Sequence, residues 1–302
     1  MIARTTSSES VEGPDGPMTL TLRAGPARAE IAPARGGGLA SLEVGGREAL
    51  SARAGRPEGS PFDLAMNLLL PFSNRIARPF VHEGQVHALP PNLEGEPLPI
   101  HGDAFQKPWD VVSATDRAIR LRLSDGRFGP YLYEAEVTYG LARRSLVATL
   151  ALTSRSACPL PFGLGFHPWF PRTSATRLRF SATGCWPQDD RHLPATAEPA
   201  PLPPDWDFSS PAPLPPGWMN VAFSGWDGEA EILQDDSAVP LRLSAPGLAT
   251  LIAYSPSAEA PFLCLEPVSH PVDAHNLPGQ PGLVRLAPGE SLSATMTLRW
   301  EA

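Results

Sequence analysis

An all-β protein, a single large antiparallel β-sandwich, is what the sequence predicts, on three observations. Short apolar runs recur from Met18 onward, and most alternate apolar and polar residues over five to eight positions. That is the period-2 pattern of half-buried strands. Proline makes up 37 of 302 residues, more than double the usual share of about 5%. Each interior proline removes a helical hydrogen bond and clashes with the preceding turn, so long helices are excluded. No stretch of about three helical turns carries unbroken helical periodicity.

In chain order, residues 1–17 read as a flexible polar leader without the apolar segment of a signal peptide. Residues 18–302 read as one sandwich domain, because strands of one kind continue throughout with short connections. The runs MTLTLRAG, RAEIAPARGG and LASLEVGGREAL open it. SDGRFGPYLYEAEVTYG and SLVATLALTS form the clearest hairpin, with its turn expected at Gly140–Arg143. RLRFSATG, AEILQD, LRLSAPG, LATLIAYSP, FLCLEPV and SATMTLRW follow. The Pro-rich stretch from Pro194 to Pro216 reads as a long loop crossing the sandwich rather than a linker, since strands resume after it.

Composition narrows the function. A formal charge of −8 argues against nucleic acid and anionic membranes as partners. Lys107 is the only lysine, so a Schiff-base mechanism has one candidate. Three cysteines, Cys158, Cys185 and Cys264, are widely spaced with no CxxC, which fits a reducing compartment without a disulfide or zinc framework. No apolar stretch reaches the roughly 18 residues of a membrane span. A cytoplasmic protein is expected.

Polar residues of catalytic type sit inside apolar, loop-flanking segments at five places: Asn67 to Ile76, Pro99 to Asp103, Gly165 to Phe170, Trp218 to Gly228, and Phe262 to His270. Glu266 ends the apolar run FLCL and precedes proline, which holds it extended. It is either a surface glutamate at a strand end or a general base whose pKa is raised by burial. His167, between Phe166 and Pro168, is either a satisfied core histidine or a general acid that titrates near neutrality. His101, beside Gly102, suits a turn bonded to backbone or a ligand contact. Arg75 reads equally as a solvated or ion-paired arginine. Trp169 and Trp226 read as packing residues that could instead offer a flat face to a sugar ring. His82, His87, His192, His270 and His275 read as surface or loop residues.

Taken in order, SNRI, IHG, GFHPWF, the Trp218–Gly228 segment and LEPVSH resemble the aldose 1-epimerase (galactose mutarotase) family over residues 74–270. The closing LAPGESLSATMTLRW resembles that family's last strands. The resemblance implies a sugar cleft across one sheet of a β-sandwich. It also implies His167 as general acid, Glu266 as general base, and Arg75 and His101 as sugar contacts; Asn74, Asn220 and Trp169 complete the expected substrate-binding set. Asn220 stands where the family usually has an aspartate, and an amide cannot supply a carboxylate acceptor pair. Ala77-Arg78-Pro79-Phe80 replaces a glycine-containing turn, which marks a divergent branch.

The resemblance implies neither metal nor cofactor, and a small sugar, an aldohexose or derivative, as partner to a monomer or homodimer. Two other readings stay open. One is a metal enzyme using His101, His167 and Glu266. The other is a sugar-binding protein of the same fold without turnover.

Overall fold

The structure is a computed structural model and describes residues 19–51, 60 and 62–301. The expected leader, residues 1–17, lies outside the described residues. Among those described there is no α-helix, only strands and three short 3-10 turns.

Two large sheets dominate. The first has ten strands. Along its main path run Leu20–Ala24, Ala27–Ala32, Gly38–Val44, Met66–Leu69, Gly165–Pro171, Phe262–Val268, Thr250–Ser255, Met219–Ser224 and Gly184–Trp186, and Arg47–Leu50 pairs beside Gly38–Val44. The second has eight, in the order Arg177–Phe180, Glu229–Leu233, Leu241–Ser244, Ser291–Arg299, Ser145–Ser154, Tyr131–Ala142, Ala118–Phe128 and Asp110–Ala114. Neighbouring strands are antiparallel in both.

Alternation in sequence becomes alternation in burial. Along Ser145–Ser154 the residues Leu146, Ala148, Leu150 and Leu152 enter the core while their neighbours face outward. Inner faces of both sheets contribute to one apolar core: Phe166, Phe170, Leu263 and Leu265 from the first, Leu121, Val137, Leu150 and Met296 from the second. The hairpin turn is tighter than expected. Gly140 pairs with Val147 inside the ladder and Ala142 with Ser145, so only Arg143 and Arg144 form the turn. A two-residue connection matches the twist of adjoining strands better than a longer one.

The central strands of the ten-stranded sheet are buried on both faces: every residue of Met66–Leu69 and Phe262–Val268, and all but the last of Gly165–Pro171. Their outer face is roofed by two long connections, one between Leu69 and Asp110, the other between Trp186 and Met219. The second contains the Pro194–Pro216 stretch, which carries only the short turn Pro204–Trp206 and isolated bridges such as Leu178 to Ala212.

The first connection is tied down at a tight turn. His101 and Gly102 both take positive φ, 59° and 68°. Asn92 braces this turn by accepting from the Ile100 amide at 2.8 Å and donating to the Ile100 and Gly102 carbonyls at 2.8 and 2.6 Å. Next in sequence, buried Asp103 accepts from the Tyr133 hydroxyl at 2.6 Å and the Arg127 amide at 2.9 Å, linking the turn to the second sheet. A Cβ on Gly102 would collide with the Leu70 carbonyl and the Pro71 ring. Gly102→Ala is therefore expected to destabilise the fold by about 2–4 kcal/mol, combining left-handed strain with a backbone clash. Urea unfolding checks this, and a loss below about 0.5 kcal/mol, the range of an ordinary surface change, would contradict it.

Candidate active site

Strand period sorts the central residues into two sets. With Phe166 and Phe170 committed to the core, His167 and Trp169 must face outward. With Leu263 and Leu265 inside, Cys264 and Glu266 face outward too. Register then aligns the outward sets. Gly165 pairs with Val268 and Trp169 with Cys264, which sets His167 directly across from Glu266. Asn67 stands opposite His167 on its other side, Ile252 opposite Glu266, and Tyr254 opposite Cys264. One strand further, Asn220 pairs with Tyr254.

The result is a cavity of about 250 Å³ on the outer face of the ten-stranded sheet. His167, Glu266, Trp169, Asn220 and Tyr254 form its floor, and the two roofing connections supply Asn74, Arg75, Glu96, His101, His192 and Trp218 to its walls. All seven residues singled out in the sequence, Asn74, Arg75, His101, His167, Trp169, Asn220 and Glu266, border this one space. Trp226 does not; it is packed in the core, its indole N–H donating to the Glu229 carbonyl at 2.8 Å.

His167 Nε2 lies 3.3 Å from Glu266 Oε1, and the glutamate side chain is only 3% exposed. Burial pushes the Glu266 carboxyl up to about 8, because a dry surrounding disfavours its charged form. The positive charge of Arg75 opposes this and is the weaker effect. Arg75 is engaged elsewhere: its Nε and Nη2 donate to Glu96 Oε2 at 3.0 and 2.6 Å. Its own amide donates to Asn74 Oδ1 at 3.0 Å. Glu266 Oε2, buried, has no hydrogen-bond partner among the described residues. A ligand that donates to it would remove an energetic deficit of about 1–3 kcal/mol.

An aromatic shell fixes the imidazole. The rings of His167 and Trp169 stack with centroids 4.8 Å apart and planes 17° from parallel. Phe62 lies 5.8 Å from both His167 and His101 and stacks on Phe105. His101 Nδ1 accepts from the Asn74 amide at 2.9 Å. Burial first, then the nearby His167 and Arg75 charges, hold His101 well below the usual histidine range. It is therefore neutral, with its proton on Nε2 and available to a ligand.

Three of the histidines read as surface residues are placed differently. His270 is buried and pushed down to about 4, chiefly by burial. Its Nε2 accepts from the Ser73 amide at 3.0 Å and its Nδ1 faces the Pro271 carbonyl at 2.8 Å, so it clamps two loops. His275 is also buried, with Nε2 2.9 Å from the Tyr131 hydroxyl. His192 borders the cavity and packs on Trp218, centroids 5.0 Å apart. The metal ligand set weighed from sequence also changes: the ligand atoms that come within 4.8 Å of one another belong to His167, Cys264 and Glu266, not to His101.

Sequence reasoning missed Glu96, Phe62, Tyr254, His192 and Trp218 as cavity residues. All but Tyr254 lie on irregular segments, where no period announces which side chain points inward. Tyr254 follows in phase from Ile252 on its strand, and that phase was the available signal.

The comparisons agree with this architecture. The profile of the aldose 1-epimerase family matches residues 18–299, and the chain belongs to that family. The uncharacterised protein YphB of Escherichia coli strain K12 is 36% identical over 257 residues, covering 82% of this chain and 88% of that protein. A crystal structure from Escherichia coli K12, of a protein provisionally named an aldose 1-epimerase, superposes with a TM-score of 0.86 at 32% identity. That match covers 94% of this chain and 98% of the other. Galactose 1-epimerase from Lactobacillus acidophilus NCFM shares the fold at a TM-score of 0.74 and 18% identity, covering 97% of each chain.

The raised Glu266 pKa carries a signed consequence for stability. Between the ordinary value of 4.5 and about 8, the folded chain keeps a proton that the unfolded chain has released, so this group's contribution falls as pH rises. Glu266→Gln cannot ionise and should gain melting temperature relative to the parent between pH 5 and pH 8.5. Calorimetry at the two values checks it; a constant difference would contradict the buried-carboxyl assignment.

Proposed function

We propose that the protein interconverts the α and β anomers of an aldohexose by general acid–base opening and closure of the sugar ring. The observation that carries this reading is the buried pair His167 and Glu266, 3.3 Å apart at the floor of a cavity walled by hydrogen-bonding groups. Family membership supports the reaction class.

Anomerisation requires a proton to leave the anomeric hydroxyl while another reaches the ring oxygen. The ring opens, the bond between C1 and C2 rotates, and closure reverses both transfers on the other face. Both oxygens are bonded to one carbon, so base and acid must stand within a few ångströms of each other. Two side chains facing each other on adjacent strands meet that demand. The resting pair shares one proton. Its transfer from Glu266 to His167 creates base and acid in a single step, and Glu266 then accepts from the sugar as His167 donates. Each proton-transfer group contributes about 10²–10⁴-fold. Closure returns both groups to their starting states, so the cycle needs no outside proton source.

The rest of the cavity lining binds and orients. Arg75 and neutral His101 donate to sugar hydroxyls, and Asn74 and Asn220 both donate and accept. Asn220, in place of a carboxylate, leaves Glu266 free of a second negative neighbour on the cavity floor and shifts the choice of sugar rather than the chemistry.

Polarimetry on freshly dissolved α-D-galactose and α-D-glucose tests the proposal. The protein should accelerate the change in rotation, and Glu266→Gln and His167→Asn should each lower the rate by about 10²-fold or more. Near-parental rates in either variant would remove that residue from its role, while sugar binding without acceleration would favour a non-catalytic carbohydrate-binding protein. The pH profile adds a second prediction. Because the pair must carry one proton and Glu266 titrates near 8, the rate above background should fall as pH rises through that value. An undiminished rate at pH 9.5 would contradict the shared-proton mechanism.

A further inference from the structure

Two residues before Glu266, on the same outward face, lies a thiol that the acid–base reading does not use. Cys264 is fully buried, packed with Trp169 and Phe262. Strand geometry places Cys-x-Glu side chains about 7 Å apart along one face, and the adjacent strand sets His167 beside them. An imidazole nitrogen, a thiol sulfur and a carboxylate oxygen thus lie within 4.8 Å of one another.

We infer that His167 Nε2, Cys264 Sγ and Glu266 form a binding site for a thiophilic divalent cation of the Zn2+ type, and that occupation of this site switches the acid–base pair off. Geometry supports it directly. Tetrahedral zinc with nitrogen and oxygen ligands at about 2.0–2.1 Å needs those two atoms about 3.3 Å apart. His167 Nε2 and Glu266 Oε1 are already 3.3 Å apart. Sulfur at about 2.3 Å from the ion needs about 3.5 Å to each of the others, a modest side-chain adjustment from the separation observed. The donor set selects the ion: thiolate and imidazole favour zinc and its neighbours, whereas Mg2+ and Ca2+ prefer oxygen alone.

Three protein ligands leave a fourth position on the ion, and two of the three, His167 and Glu266, border the cavity. Nε2 ligated to a cation cannot carry a proton to the ring oxygen, and a ligated carboxylate is a poor acceptor. One ion therefore removes both proton-transfer groups together. The switching part of the inference rests on the epimerase reading; the metal-binding part does not, and the experiment separates them.

Protein stripped with a chelator is titrated with Co2+, whose bond to a thiolate gives a charge-transfer absorption in the near ultraviolet. The band should appear with one equivalent, vanish when Zn2+ is added, and be absent from Cys264→Ser. Absence of the band in the parent, or its persistence in Cys264→Ser, would overturn the site. If Cys264→Ser does not fold, Cys264→Ala serves the same purpose. In the polarimetric assay a slight excess of Zn2+ should slow the parent by about 10²-fold, because both groups are ligated. Chelator should restore the rate, and equal Mg2+ should leave it unchanged. Cys264→Ser should keep the basal rate and lose the zinc inhibition. A parent rate indifferent to Zn2+ while the cobalt band is present would overturn the switch. A protein without mutarotation on any sugar that still shows the cysteine-dependent band would retain the site and lose the epimerase reading.

Discussion

Antiparallel pairing between Gly165–Pro171 and Phe262–Val268 is the constraint on which the rest depends. It sets an imidazole and a carboxyl face to face without any loop having to hold them. Desolvation makes such a pair costly unless the proton is shared and the surroundings are firm. Firmness comes from below, where Phe166, Phe170, Leu263 and Leu265 anchor both strands in the core. From the sides it comes from Trp169 and Phe62, whose rings limit the imidazole to one orientation. Sandwich and site are one design: the same alternation that fills the core with aromatics and leucines lifts His167 and Glu266 onto the opposite face.

Arg75 illustrates how charge is arranged around that pair. Its guanidinium is held by Glu96, so it moderates the Glu266 carboxyl from a distance instead of neutralising it. A direct ion pair would hold Glu266 ionised. The buried neutral histidines follow the same economy of charge. His101 and His270 each accept a backbone amide hydrogen, which satisfies a loop N–H and keeps the ring uncharged.

Strands were the legible part of the sequence, because half-buried strands write their burial as strict alternation. SLVATLALTS is the plainest case. The central strands were harder: GFHPWF and FLCLEPV are buried on both faces, so alternation fades into continuous apolarity. What marked them was chemistry out of place, a histidine and a glutamate among aromatics and leucines. Residues on the roofing connections obey no period. Hence nothing in the sequence assigns Glu96, Trp218 or His192 to the cavity, and His270 and His275 read there as surface or loop residues although backbone and tyrosine partners bury them. Cys264 was hidden differently, since a thiol in an apolar run resembles any small hydrophobe until the neighbouring strand is placed beside it.

His167 and Glu266 sit on the sheet floor, whereas the two segments that wall the cavity leave the sheet at Leu69 and at Trp186 and return far along the chain. Insertions or exchanges in either wall reshape what the cleft admits without moving a single rung of the ladder beneath. Such a molecule can keep its sheet floor unchanged and still alter what its cleft admits, with selection acting on lid and hearth as separate traits.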